Sequence, residues 1–387
     1  MKKGKLLALL LCLAMAVTLL AGCGSSSSSD TEDASADTAE TEETSAEADT
    51  AEEASTDTDY SSVDALEFTF TTTYQQTETG GEIIQYFIDY LSDITGGQIT
   101  VSATWGGTLT DDSGMLDLVR SGGVDMCMLS HMMHLDTLNY MSFPGFAPGS
   151  SQNALDYFNY IMFDNEETAT LIQEEAAAEN IKYLNVTAGG VNAYCATYEF
   201  TDLDSLINNG ANFSNGDSTI FVSLGFQVTS AGTPSELYDM LQRGQADATQ
   251  MALSPMTSMS WYEVADYWAL DGTYAAGNMF TVNLDFWDSL TEDQQAAIQA
   301  AADAVEEYSR TLYDETEAED MQTIVDYTGN EFVEFSDEDI DTIWAASFEA
   351  KADAALETAE ANDKVEGMVT ILEAAAEFTG YDWVAPE

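Results

Sequence analysis

The sequence predicts an α/β protein of two lobes, and three observations carry that reading. Strand and helix signals alternate over residues 66–130 as β-α-β-α-β, the pattern of a parallel sheet covered by helices. A second alternation of the same kind begins near Gly190. Residues 61–387 also have a globular composition, with aromatics throughout, and these 327 residues exceed what one hydrophobic core usually supports.

In chain order, the first element stands apart from that body. Lys2, Lys3 and Lys5 precede an apolar run over residues 6–20, too short for a membrane span and of the length of a secretory signal core. The run ends in Leu20-Ala21-Gly22-Cys23, which resembles the lipobox of bacterial lipoproteins. That resemblance implies removal of residues 1–22 as a signal peptide and acylation of the Cys23 sulfur. The protein would then sit, lipid-anchored, outside the cytoplasmic membrane, on the cell surface or the periplasmic face. Residues 24–59 carry thirteen acids and no base among Ser, Thr and Ala, and cannot bury enough apolar surface to offset the entropy of ordering. Residues 23–60 are therefore expected to be an acidic, disordered tether.

Within the body, residues 66–74 alternate Phe and Thr as a strand does. Ile83, Ile84, Phe87, Ile88 and Leu91 recur at helical spacing until Gly96-Gly97 stops them. Residues 98–105 predict a second strand, 115–120 a short helix and 124–130 a third strand. Ligands of such sheets bind beyond the carboxyl ends of the strands, here near Thr73-Tyr74, Trp105-Gly106-Gly107 and Ser130-His131. Helices are predicted over 153–163 and 166–180, then a strand over 182–186. In the second lobe, strands are predicted at 193–200, 211–214, 226–229 and 246–253. Asp217 is placed to cap a helix over 220–224, and Pro234-Ser235-Glu236 opens another that runs to Arg243. Residues 279–283 predict a further strand. Thr291-Glu292-Asp293-Gln294, with acids in its first turn, starts a long helix to about residue 324, and the remainder reads as helices with acidic faces.

Seventy carboxylates stand against nine basic residues, three of them ahead of Cys23. The body keeps Arg120, Lys182, Arg243, Arg310, Lys351 and Lys364. Such a field repels phosphate backbones and anionic lipid surfaces, which excludes a nucleic-acid partner and leaves the lipid anchor as the only expected membrane contact. Of the cysteines, Cys127 lies in an apolar strand signal and reads as core filler; an exported location permits, but does not require, a bridge to Cys195. No G-x-S-x-G, P-loop, HExxH or calcium-loop pattern occurs. His131 and His134 lie three apart without an obvious third ligand, so no metal and no cofactor is expected, nor an enzyme.

Several segments, in order along the body, together resemble the solute-binding proteins of TRAP transporters, the DctP-type family. Residues 107–112 (Gly-Thr-Leu-Thr-Asp-Asp) are similar to the family's "sQLGdd" turn, and residues 119–126 to its "v..G.vDm" helix and strand. Residues 201–206 are similar to "pdDLkGl" and residues 224–228 to "lGa.pv". Residues 235–247 (Ser-Glu-Leu-Tyr-Asp-Met-Leu-Gln-Arg-Gly-Gln-Ala-Asp) are similar to "sElY.aLq.GvvDg" and are the most specific piece. Residues 261–267 resemble "fyEv.kY", and Asn283, Trp287, Leu290 and Gln294 the pattern "..vN...w..L...Q".

The resemblance implies a periplasmic-binding-protein-like fold, with hinge strands and a long helix linking the lobes. Lobe I would hold residues 61–190 and 282–320, lobe II residues 191–281 and 321–387, with hinge crossings near Gly189-Gly190 and Thr281-Val282. It implies a monomeric receptor that closes on a small-molecule solute and delivers it to integral-membrane TRAP subunits. By position in the matched motifs, the ligand-binding candidates are Tyr74, Trp105, Ser130, His131, Asn192, Tyr194, Phe213, Asn215, Gln250 and Met251. The family's carboxylate-binding arginine has no counterpart in residues 207–215, and Arg120 and Arg243 fall on predicted helices outside the expected site. A neutral or cationic solute is therefore expected, stacked by aromatics and hydrogen-bonded by Asn192, Asn215 and Gln250. Backbone N–H groups over residues 215–218 remain an alternative holder of a carboxylate. Other classes left open are the binding protein of a different importer or of a sensor and, third, an extracellular enzyme.

Overall fold

The computed structural model describes residues 60–208, 212–215, 218–230 and 233–386. The expectations for the signal, Cys23 and the tether, and for Asp217 as a cap, lie outside these residues.

Among the described residues, a mixed sheet of nine strands organises the body. Strand β1 (Leu66–Thr71) runs parallel to both of its neighbours, β2 (Ile99–Thr104) and β3 (Met126–Leu129). Helices α1 (Thr79–Ile94) and α2 (Asp112–Arg120) connect them, giving the predicted β-α-β-α-β unit. The alternation in β1 sends Phe68 and Phe70 into the core, where Phe70 meets Phe87 of α1 at a ring-centroid distance of 6.1 Å. Asp111 caps α2 by accepting the Gly114 N–H at 3.1 Å. The short β4 (Phe146–Pro148) is followed by α3 (Ser151–Asn159), which continues into one π-helical turn, Tyr160–Asp164, and then by α4 (Glu166–Ala178).

Strand β5 (Ile181–Ala196) leads to the second half of the sheet. There α5 (Leu203–Asn208), β6 (Asn212–Asn215), α6 (Ser218–Ser223), β7 (Gln227–Ser230), α7 (Pro234–Gln242) and β8 (Ala248–Ala252) follow, with β6 parallel to β7 and β8. Thr233 and Glu236 close a reciprocal capping box on α7, with Pro234 in its first turn. After α8 (Leu253–Ser258) comes β9 (Tyr267–Asn283), then α9 (Leu284–Ser289), α10 (Glu292–Thr328), α11 (Asp337–Ala361) and α12 (Val365–Thr379).

The two halves of the sheet are joined by β5 and β9, which pair antiparallel from Ile181 opposite Asn283 to Ala196 opposite Tyr267. At one end the pair carries β3, with Met126 opposite Val282; at the other it carries β8, with Ala196 opposite Ala248. Their register shifts between Tyr183 and Asn185 and again at several steps up to Ala193. The expected crossing at Gly189-Gly190 coincides with these shifts. The crossing expected at Thr281-Val282 does not, because those residues are paired with β3 inside the first half. On β9 the irregular pairing falls around residues 274–276, opposite residues 188–191. The strand is much longer than the predicted 279–283, and its Gly272 and Gly277 fall where its pairing with β5 is irregular.

Helix α10, about 55 Å long from its 37 residues, ties the halves together. Its early turns pack Ala297, Ile298, Ala301 and Val305 into the core of the first half, while Ile324 enters a core of the second. Between them Ser309 Oγ accepts the backbone N–H of Ala188 at 2.8 Å. Helix α11 also bridges, placing Ile343 in the aromatic core of the second half and Trp344 and Phe348 in the first. The expected allotment of residues 321–387 to lobe II differs from this packing, since α12 buries Met368, Ile371 and Leu372 in the first-half core. A polar clamp holds it there: Glu175 of α4, 8% exposed, accepts the N–H groups of Asn139 and Tyr140 and the ammonium of Lys364 at 3.0, 2.9 and 2.5 Å. Cys127 and Cys195 are free thiols buried in different cores.

Candidate functional site

Where β5, β8 and β9 meet the carboxyl end of β6, a cavity of about 280 Å³ opens beneath α11. Its floor is polar. Asp271 of β9 is 1% exposed and takes three hydrogen bonds: Gln250 Nε2 donates to one carboxylate oxygen at 2.7 Å, and the Thr273 N–H and Oγ1–H donate to the other at 2.8 Å each. Asn192 Nδ2 donates to Thr273 Oγ1 at 3.2 Å, and Asn215 Nδ2 to the Gln250 carbonyl at 2.7 Å. Burial pushes the Asp271 carboxyl up to about 6, against the pull of its three donors. One wall is α11, whose Ile343, Ser347 and Lys351 follow each other at four-residue spacing and so share a face. Met132, just after β3, and Phe146 of β4 close the cavity from the first half, and Ile220, Phe221 and Met251 from the second.

Among the described residues no three His, Cys, Asp or Glu side chains are grouped to hold a metal, and His131 and His134 do not line the cavity. The cavity is small, lined by elements of both halves, and sits over the strand pair that joins them, with apolar walls and a few convergent polar groups.

A family model for bacterial extracellular solute-binding proteins, family 7, named DctP, matches residues 70–357. The chain belongs to this family. A solute-binding protein of Roseobacter denitrificans is 25% identical over 260 residues, 64% of this chain and 75% of that protein. Solved structures share the fold of this DctP protein at low identity. The ectoine-binding protein of the TeaABC TRAP transporter in its apo state is 16% identical, with a TM-score of 0.69 over 81% of this chain and all of the other. A TRAP periplasmic solute-binding protein from Ochrobactrum anthropi is 18% identical, with a TM-score of 0.68 over 81% and 97%. A TRAP protein from Sulfitobacter with bound β-D-galacturonate is 19% identical, with a TM-score of 0.61 over 81% and 100%. As a family member the chain is a solute-binding receptor, which captures a small organic solute between its lobes.

Of the ten candidate residues, Asn192, Tyr194, Asn215, Gln250 and Met251 line the cavity of this DctP protein. The other five do not. Phe213 is wholly buried among Tyr194, Phe221 and Phe226, with centroids 4.3–6.1 Å apart. Tyr74 accepts Asn278 Nδ2 at 2.9 Å and lies, like Trp105, against the core formed by β1 and α1. The Ser130 carbonyl accepts the Met133 N–H at 3.3 Å in a 3-10 turn. His131 is buried against Phe158, and burial without a partner holds its imidazole down to about 4.

A basic residue not singled out from the sequence, Lys351, reaches the cavity from α11, far along the chain from residues 207–215. Arg120 is paired with Asp117 and Glu179, and Arg243 with Asp239, away from the cavity. Asp271 and Thr273 were also missed, because the strand that carries them was read only from residue 279 onward. For Lys351 a signal existed in its rarity, as one of two basic residues in the acidic stretch after residue 310.

Proposed function

We propose that this DctP protein is the receptor of a TRAP-type secondary transporter. A small polar solute would settle on Asn192, Asn215, Gln250 and Asp271, covered by Tyr194, Met251, Met132 and Phe146, and the halves would close over it about β5 and β9. Closure excludes water and strengthens each polar contact, and a ligand that bridges both halves stabilises the closed form because it binds the open one less tightly. The closed form would present the solute to the integral-membrane subunits, as expected of a receptor similar to the TRAP proteins TeaA and that of Sulfitobacter. Cleavage before Cys23, acylation of its sulfur and a spacer of acidic residues would hold a monomer at the outer side of the membrane.

The observation that carries this reading is the position of the cavity, enclosed by side chains of both halves at the strand pair that joins them. The test is a thermal-shift screen of the chain lacking its first 23 residues against organic acids, sugar acids, polyols, amino acids and betaines. A saturable rise in Tm of several degrees with one compound class is expected; ligand at a hundred times Kd stabilises by about 2.7 kcal/mol. No shift with any class refutes the receptor reading. The anchor is tested apart from it, by incorporation of a labelled fatty acid that Cys23→Ser abolishes.

A further inference from the structure

The hydrogen bonds on the cavity floor all run one way. An ionised carboxylate only accepts, so Asp271 obliges Gln250 to turn its amide nitrogen toward it and obliges the Thr273 hydroxyl to donate to it. Thr273 Oγ1, its proton committed, then accepts from Asn192, which must also commit its amide nitrogen. Each amide is left with its oxygen in search of a donor, and among the described residues neither the Asn192 nor the Gln250 side-chain oxygen receives one. Both residues line the cavity, so the floor offers acceptors to whatever lies on it.

The floor is also short of positive charge. Burial and three neutral donors shape the titration of Asp271, and no cation takes part in it. Arg120, Arg243, Arg310 and Lys364 are engaged by carboxylates elsewhere, and Lys182 lies over the Trp287 ring. Lys351 reaches the same cavity from α11, but it is already engaged within the protein and has no part in the titration of Asp271. A carboxylate buried among neutral groups attracts a positive charge placed near it, and does so more strongly than in water because the surroundings screen less. A solute anion on this floor would meet acceptors with an anion behind them. A hydroxyl would find its acceptors and leave the charge unanswered. The rings of Phe146, Tyr194 and Phe221 among the walls accommodate a desolvated cation better than aliphatic walls would.

We infer that the solute is a compact protonated amine, its N–H groups on the Asn192 and Gln250 oxygens, its charge over Asp271 and its carbon skeleton against the apolar walls. This rests on the receptor reading above and names its solute class. The available volume is that of roughly nine waters, which limits the amine to a short chain or a single small ring. Asp271, 1% exposed, is then a positioning residue, acting through Gln250, Thr273 and Asn192 and through its charge.

Amines join the thermal-shift panel above, and matched probes are then titrated calorimetrically with the same protein. n-Butylamine is set beside n-butanol, butyltrimethylammonium and butyrate, and cyclopentylamine beside cyclopentanol and cyclopentanecarboxylate. The alcohol keeps a donor without charge, the trimethylammonium keeps the charge without donors, and the carboxylate reverses the charge. An amine is expected to bind at least thirtyfold more tightly than any of its counterparts. At pH 6 its binding should release about half a proton, read from the dependence of the heat on the buffer, because the cation drives Asp271 into its ionised form; at pH 8 it should release none. Tyr194 and Tyr274 also feel Asp271, but burial pushes both up, so neither exchanges a proton over this interval. The release should persist in Lys351→Met, which removes the other charged group lining the cavity, and vanish in Asp271→Asn. Asp271→Asn should also weaken the amine at least tenfold and its alcohol less than threefold; should that variant fail to fold, the proton count and the matched probes on the wild type decide. Binding confined to acids, polyols or other classes, or amine binding without proton release at pH 6, overturns the amine while leaving the receptor intact. Binding by no class of compound, amines included, overturns both.

Discussion

Replacing Asp271 by Asn tests the electrostatics of the floor without any ligand. The carboxyl is held at about 6 in the folded protein instead of the ordinary 3.8, because burial disfavours its charge by more than its three donors favour it. The folded state therefore holds the proton more tightly than the unfolded one. The stability this contributes is fully present below pH 3.8 and is lost as pH rises through about 6. At about 1.36 kcal/mol per pH unit, the loss between the two values is about 3 kcal/mol. Asn cannot titrate, so the unfolding free energy of the wild type minus that of Asp271→Asn should fall by about 2.4 kcal/mol of this from pH 4 to pH 7. The subtraction removes the other carboxylates of this acidic chain, which titrate alike in both proteins. Urea unfolding of the unliganded proteins, followed by fluorescence and circular dichroism together, measures it. A difference that stays level across that interval refutes the buried, ionising carboxylate at the cavity floor.

Three further outcomes are expected. His131, buried without hydrogen-bond partners and held at about 4 instead of 6.5, contributes stability that is present above pH 6.5 and lost as pH falls through 4. His131→Phe should therefore gain on the wild type by about 3 kcal/mol between pH 7 and pH 4, opposite in sign to the Asp271 pair, as read in the same urea titrations. Lys364→Met removes the ammonium from buried Glu175 and should cost about 1–3 kcal/mol at pH 7, with faster amide exchange in α12, measured by hydrogen exchange. Gly277→Ala would drive a methyl group into Thr187 Oγ1 and the Ala188 carbonyl, so about 1–3 kcal/mol of destabilisation is expected from chemical unfolding.

What the sequence made legible follows from how local each signal is. The β-α-β-α-β unit was readable because Phe68 and Phe70 alternate and Ile83, Ile84, Phe87 and Leu91 keep helical spacing, patterns set by neighbours a few residues away. The start of α10 was readable from Thr291 and Gln294, which close a capping box. The continuity of β5 and β9 was not, because Gly189, Gly190, Gly272 and Gly277 look like turn signals locally and are accommodated only by the long antiparallel pairing. In the site, Asn192, Asn215 and Gln250 were found through their positions in matched segments. Asp271 is one carboxylate among many, and only burial distinguishes it. Lys351 meets the cavity through the packing of α11 across both halves, which no local pattern encodes.

The pairing of β3 with β9 sets the order in which the molecule is completed. Met126 waits for Val282, and Gln294 reaches back to donate to the Asp64 carbonyl at 3.1 Å. The parallel unit made by the first third of the chain thus keeps one side of β3 unpaired until residues 150 or more positions later have been synthesised. Loops of that length close slowly, because their entropy is spent before the pairing repays it. A chain of this topology stays unfinished while it is being made, and a truncation before residue 267 removes the central partner of both halves at once. For an extracytoplasmic protein this delay is an advantage, since a polypeptide that cannot complete its sheet early remains threadable while it crosses a membrane.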